Sequence, residues 1–162
     1  MCVVHGLHEK RPSESEAEAT STDIAPSRLL EHAAVMASEA SSRLGKESYI
    51  NIESYRRDGG GVKTPVWCAE LDGKLVVVTD GTSYKVKRVR RNAKVRVAPC
   101  DAVGGVRGEW VEGECRIIDD PERAKRAHAA LQAKYGWQFR LLDLGSWISR
   151  RMKRRAYLEI SV

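Results

Sequence analysis

The chain has 162 residues, 42% hydrophobic and 31% charged, and its 28 Lys and Arg outweigh 22 Asp and Glu to give a formal net charge of +6. That length suits one domain with a real core, and the four cysteines, Cys2, Cys68, Cys100 and Cys115, stand too far apart for a zinc ribbon or a disulfide framework. No apolar stretch approaches membrane-spanning length and Met1 to Leu7 has no basic start, so a reduced, soluble, cytoplasmic protein without a membrane partner is expected.

Charge is unevenly placed. Residues 1 to 46 hold 5 Lys and Arg against 7 Asp and Glu, which leaves 23 against 15 for residues 47 to 162. A body at +8 favours anionic partners. Up to about Asp23 the chain is polar and poor in aromatics, a composition that cannot repay ordering entropy, so residues 1–45 are expected to form a flexible tail. Within it, Leu29, Leu30, Ala33, Ala34 and Met36 predict one short amphipathic helix after Pro26, ending before Ser41, Ser42 and Gly45.

The body, residues 46–162, opens with Tyr49 to Tyr55, which alternates as a half-buried strand does, and Arg56 to Gly61 breaks it. Val62 to Glu70 and Lys74 to Thr79 read as strands joined by the tight turn Leu71-Asp72-Gly73. Val86, Val89 and Ala93 recur at helical spacing, predicting a short basic helix from Ser83 to Asn92. Lys94 to Pro99 and Glu109 to Ile118 are further strands, and Asp119-Asp120-Pro121-Glu122 starts a helix that runs to Tyr135. Ala156 to Val162 alternates again and closes the set. Hairpin-joined strands with two inserted helices favour an antiparallel barrel over a doubly wound sheet.

Several chemistries are excluded by spacing. Gly59-Gly60-Gly61-Val62-Lys63-Thr64 resembles a phosphate loop only in composition, because it leads into a strand and lacks the GxxxxGK[ST] spacing. His5, His8, His32 and His128 form no catalytic set with a serine, cysteine or acid, and no metal-ligand cluster exists, so chemistry would reside in a bound organic cofactor. Pro65 interrupts its strand and marks an edge, where a planar ring could lie against unladdered backbone; an ordinary edge proline explains it as well. Thr79, Ser83 and Lys85 stand at a strand end and the following helix start, where hydroxyls, an ammonium and free amides can converge on a phosphate. Lys85 and Arg88 share a helix face, which is equally the pattern of a solvated basic surface. Nucleic-acid binding is disfavoured, since only Tyr84 accompanies the cations and no helix-turn-helix, RRM or KH pattern is present. Trp137, with Tyr135 and Phe139, belongs to a pocket wall, an interface or the core. The run Arg150 to Arg155 reads as a basic surface.

With these segments placed, the chain resembles the split-barrel flavin and deazaflavin oxidoreductases related to pyridoxamine 5′-phosphate oxidase. The likeness spans roughly Tyr49 to Val162 and rests on Tyr49-Ile50-Asn51-Ile52-Glu53-Ser54-Tyr55, Gly61-Val62-Lys63-Thr64-Pro65-Val66-Trp67, Lys85-Val86-Lys87-Arg88-Val89-Arg90-Arg91-Asn92, Val95 to Asp101 and Gly108 to Gly113. It implies a mainly β fold, a six-stranded antiparallel split β-barrel with flanking helices, assembled as a homodimer with two cofactor sites at the subunit interface. It implies that Lys63, Thr64, Pro65 and Val66 lie along the isoalloxazine or deazaflavin ring. Thr79, Ser83, Lys85, Lys87 and Arg88 would serve the phosphate and ribityl end, with Trp137 and Gln138 reaching in from the partner subunit. Tyr84 stands where the oxidases commonly have arginine, and their C-terminal substrate arginine and histidine motif is missing. The Gly-Val-Lys-Thr-Pro-Val-Trp and Lys-Val-Lys-Arg pieces are more similar to the branch that uses coenzyme F420. The resemblance thus implies a deazaflavin-dependent reductase acting on a small molecule. An FMN-binding oxidoreductase, and a non-catalytic flavin, haem or nucleic-acid binder, are the alternatives.

Overall fold

The computed structural model describes residues 26–148 and 154–162. Helix α1 spans Pro26–Gly45, then β1 Tyr49–Tyr55, β2 Gly61–Val66, β3 Cys68–Leu71, β4 Lys74–Asp80, α2 Tyr84–Arg91, β5 Lys94–Cys100, β6 Val111–Ile117, α3 Pro121–Tyr135, α4 Trp137–Ile148 and β7 Arg155–Ser161. The polar tail before Pro26 and most of the Arg150 to Arg155 run lie outside the described residues.

All seven strands belong to one antiparallel sheet in the order β2-β1-β5-β6-β7-β4-β3. The expected six-stranded barrel is therefore corrected to a seven-stranded sheet that hydrogen bonds do not close. Its two edge strands, β2 and β3, are consecutive pieces of chain separated by Trp67 alone, so the expected single strand from Val62 to Glu70 is split. The reason is geometric. A twisted sheet can bring its edges together only if the chain bends at the seam, and Pro65, which has no N–H to donate, stands two residues before the bend.

Side-chain alternation sorts the sheet's two faces. Ile50, Ile52, Leu75, Val77, Val95, Val97, Leu158 and Ile160 fill the concave interior, and Val86 and Val89 of α2 plug one mouth of it. On the other face Ala69 and Val76 pack under Ala127 and Leu131 of α3 and Phe139 of α4. The β3–β4 turn is a two-residue loop with φ of 52° at Asp72 and 74° at Gly73, the left-handed pair that matches strand twist.

Helix ends follow local chemistry. Asp120 caps α3, its carboxylate accepting from the Glu122 and Arg123 amides, with Pro121 in the first turn. Helix α1 runs past Ser41 and Ser42 to Gly45, longer than its weak periodicity predicts, because Leu44 enters the interior core and Lys134 donates to the Gly45 carbonyl at 2.6 Å. The aromatic cluster at Trp137 opens a separate helix, α4, which the sequence reading did not separate from α3.

Candidate functional site

A hollow of about 320 Å³ opens where the sheet edges meet, lined by Tyr49, Pro65, Val66, Trp67, Val78, Thr79 and Lys85. This volume lies at the low end of the range for ligand pockets, roughly 300–1,000 Å³. Three elements build it. The bend ending β2 supplies Pro65, Val66 and Trp67, the end of β4 supplies Val78 and Thr79, and the first turn of α2 supplies Lys85.

Trp67 is held rather than merely placed. Its indole stacks on Tyr135 at 4.7 Å with rings 13° from parallel. The Tyr135 hydroxyl accepts from the Cys68 amide at 3.0 Å and lies 2.8 Å from the Ser48 carbonyl and 2.9 Å from that of Cys68. Lys134 Nζ donates to the carbonyls of Gly45 at 2.6 Å, Glu47 at 2.5 Å and Cys68 at 2.6 Å. Two adjacent residues at the end of α3 thereby clamp the bend that forms one wall.

Lys85 dominates the electrostatics. Its side chain begins in the first turn after Ser83, whose hydroxyl oxygen caps α2 by accepting from the Val86 amide at 3.5 Å. The residue is 6% exposed, and its ammonium donates a long hydrogen bond, 3.4 Å, to Thr79 Oγ1. No carboxylate pairs with it among the described residues. Burial, with a smaller contribution from the Arg88 guanidinium, lowers its pKa from 10.5 to about 8. The neighbouring Cys115 supplies no counter-charge at neutral pH, because burial pushes its thiol up to about 12. A buried cation left without an anion is unfavourable, and an anionic ligand at this spot would remove the penalty.

Of the residues singled out in the sequence, Pro65, Val66, Thr79 and Lys85 line the hollow together. The others do not. Lys63 is exposed with its ammonium 5.1 Å from the Trp110 ring centroid, and Thr64 is half-buried opposite Ile52. Arg88 Nε donates to Ser54 Oγ at 2.9 Å, and Lys87 lies out over the Tyr84 ring at 5.1 Å. Trp137, 68% exposed, and the exposed Gln138 sit in the first turn of α4. Sequence reasoning missed Tyr49, Trp67 and Val78 as lining. The signal for Trp67 was its position two residues after the strand-breaking proline.

Cys68, Cys100 and Cys115 are free and buried, as their strand positions suggested. No three His, Cys, Asp or Glu groups are gathered for a metal among the described residues. No helix among them is long and apolar enough to cross a membrane.

A sheet whose edges meet at a proline-marked bend, with a basic helix across the mouth, is the frame the resemblance called for. Residues 36–162 match the sequence model of the pyridoxamine 5′-phosphate oxidase family. The chain belongs to that family. The pyridoxamine 5′-phosphate oxidase family typically binds FMN or a related flavin, and it includes oxidoreductases. Among solved structures, the conserved hypothetical protein Rv2991 from Mycobacterium tuberculosis has a TM-score of 0.57 at 21% identity, over 75% of this chain and 76% of its own. A NimC/NimA family protein from Clostridium acetobutylicum has a TM-score of 0.53 at 19% identity, over 79% and 84%. HutZ, the heme storage protein from Vibrio cholerae, has a TM-score of 0.55 at 8% identity, over 82% and 89%. These identities establish the fold alone. No curated protein matches the sequence.

Proposed function

We propose that this member of the family is an oxidoreductase whose hollow takes a phosphorylated redox cofactor, coenzyme F420, for hydride transfer to an electron-poor small molecule. The observation that carries the reading is Lys85, a buried ammonium with no anionic partner, placed beside the interrupted edge of β2. Lys85 and Thr79 would hold the phosphate, since both present donors to one point. Pro65 and Val66 would flank the ring, and Tyr49, Trp67 and Val78 would keep water from it. Reduced F420, when bound, supplies a hydride from its deazaflavin ring; the chain's own part is binding, orientation and exclusion of water. The +8 balance of residues 47 to 162 suits a cofactor with an anionic polyglutamate tail. FMN is the second reading, favoured by the family's habit of binding it. The hollow is small for either cofactor as a whole, which fits a site completed by the second subunit of a homodimer.

Titration of the purified protein with oxidised F420, reduced F420 and FMN, followed by absorbance and fluorescence, tests this. Lys85→Ala is expected to weaken the bound cofactor by roughly 10- to 100-fold, the worth of a charge-assisted hydrogen bond. Undiminished binding by this variant, or no binding of either cofactor by the parent protein, would overturn the assignment. Turnover of an electron-poor acceptor by bound reduced F420 then separates a reductase from a carrier.

A further inference from the structure

The placement of Lys85 suits a nucleophile as well as a cation. Its amine faces a hollow with aromatic walls, Tyr49 and Trp67, and apolar ones, Pro65, Val66 and Val78. No carboxylate among the described residues fixes it as an ammonium, and Arg88, three residues on, opposes its charge. Desolvation and a second cation are the two means by which proteins make a lysine amine reactive. We propose that Lys85 is a carbonyl-reactive lysine and that the hollow admits a flat aromatic aldehyde, held there as an imine.

The step balances without an oxidant or reductant. The Nζ lone pair adds to the carbonyl carbon and the carbonyl π electrons move to oxygen, giving a carbinolamine after proton transfer from nitrogen to oxygen. Loss of that hydroxyl with the remaining amine proton, as one water, leaves the C=N bond. Thr79 Oγ1, 3.4 Å from Nζ, is the hydroxyl placed to hydrogen-bond the departing oxygen. With its pKa brought to about 8, Lys85 at neutral pH has a neutral fraction a few hundred times that of a solvated lysine near 10.5. The aromatic walls favour a planar body over an aliphatic one.

Salicylaldehyde with sodium cyanoborohydride, applied to the full chain and followed by peptide mapping in a mass spectrometer, reads the reaction. Lys85 is expected to be labelled at least about tenfold faster than the exposed Lys46, Lys94 and Lys125, at a rate that climbs toward about pH 8 and levels beyond it. Lys85→Arg keeps the charge without the nucleophilic amine and should abolish the dominant label. Labelling spread over the exposed lysines, or a dominant label that survives in Lys85→Arg, overturns the proposal. The test is independent of the cofactor reading. Selective labelling in a protein that binds neither FMN nor F420 upholds this inference and removes that one, whereas cofactor binding without selective labelling does the reverse.

Discussion

At Lys85, ionisation is coupled to folding in a direction that can be worked out. The folded protein holds the lysine near 8 while the unfolded chain returns it to 10.5, so between those values the unfolded state binds more protons. Lys85 therefore destabilises the fold fully below about pH 8, and that penalty fades as pH rises toward 10.5. Lys85→Met should raise stability at pH 7 by about 1–3 kcal/mol, and the gain should shrink to nothing by pH 10.5. Thermal or urea unfolding of both proteins across that range reads the difference, in which the other titrating groups cancel. A methionine variant less stable than its parent at pH 7 would show that the ammonium has an anionic partner after all. An anionic ligand would work oppositely, returning the proton to Lys85, so its affinity should fall above pH 8. Residue spacing had placed Thr79 and Lys85 together correctly, because a strand end and the first turn of the next helix cannot be far apart. It could not foresee that Ser54 takes Arg88 from the same helix face. Lys87 was excludable from spacing alone, since a residue two places along a helix points away.

The clamp at the end of α3 joins elements that local sequence does not connect. Lys134 gathers three carbonyls from the α1 terminus, the segment after it and the start of β3. Replacing it with methionine leaves those carbonyls without their donor and is expected to cost about 2–4 kcal/mol in urea unfolding. Amide hydrogen exchange should quicken across Pro26–Gly45, because α1 loses its tie to the body. A loss under about 0.5 kcal/mol with unchanged exchange would mean that burial of Leu44 alone holds the helix. Elements with a strong local code were legible in the chain: the alternation of Tyr49 to Tyr55 is β1 residue for residue, and Asp72-Gly73 adopts the turn its chemistry demands. The break at Trp67 was not, since Val62 to Glu70 has strand composition on both sides and only closure of the sheet's edges requires the bend. Helix α4 escaped for a related reason. Its buried residue Phe139 and exposed Trp137 are two apart, a local pattern that resembles a cluster more than a helix stripe.

On the scale of the whole molecule, the surface left by this packing is not that of a self-sufficient monomer. Trp137, Leu141 and Leu144 fall on one face of α4, four and three residues apart, and are 68%, 56% and 52% exposed, while Phe139 on another face is fully buried. Helix α1 adds Leu30, Val35 and Met36, all more than half exposed. Exposed apolar stripes of this kind mark contact surfaces, and covering one against a copy of itself gives a closed pair without creating further edges. The homodimer implied by the family resemblance is the assembly that would bury them, and it would bring Trp137 and Gln138 near a second subunit. Sedimentation of the parent protein is expected to give twice the 18.1 kDa of one chain. The double variant Leu141→Glu, Leu144→Glu should sediment as a single chain with the circular dichroism of the parent, since both side chains stand clear of the buried core. Cofactor affinity should fall along with dimerisation if the second subunit completes the site, and remain if the hollow at Lys85 is sufficient by itself. A parent protein that sediments as one chain at micromolar concentration would separate the fold from its expected assembly, leaving the α4 stripe to another partner.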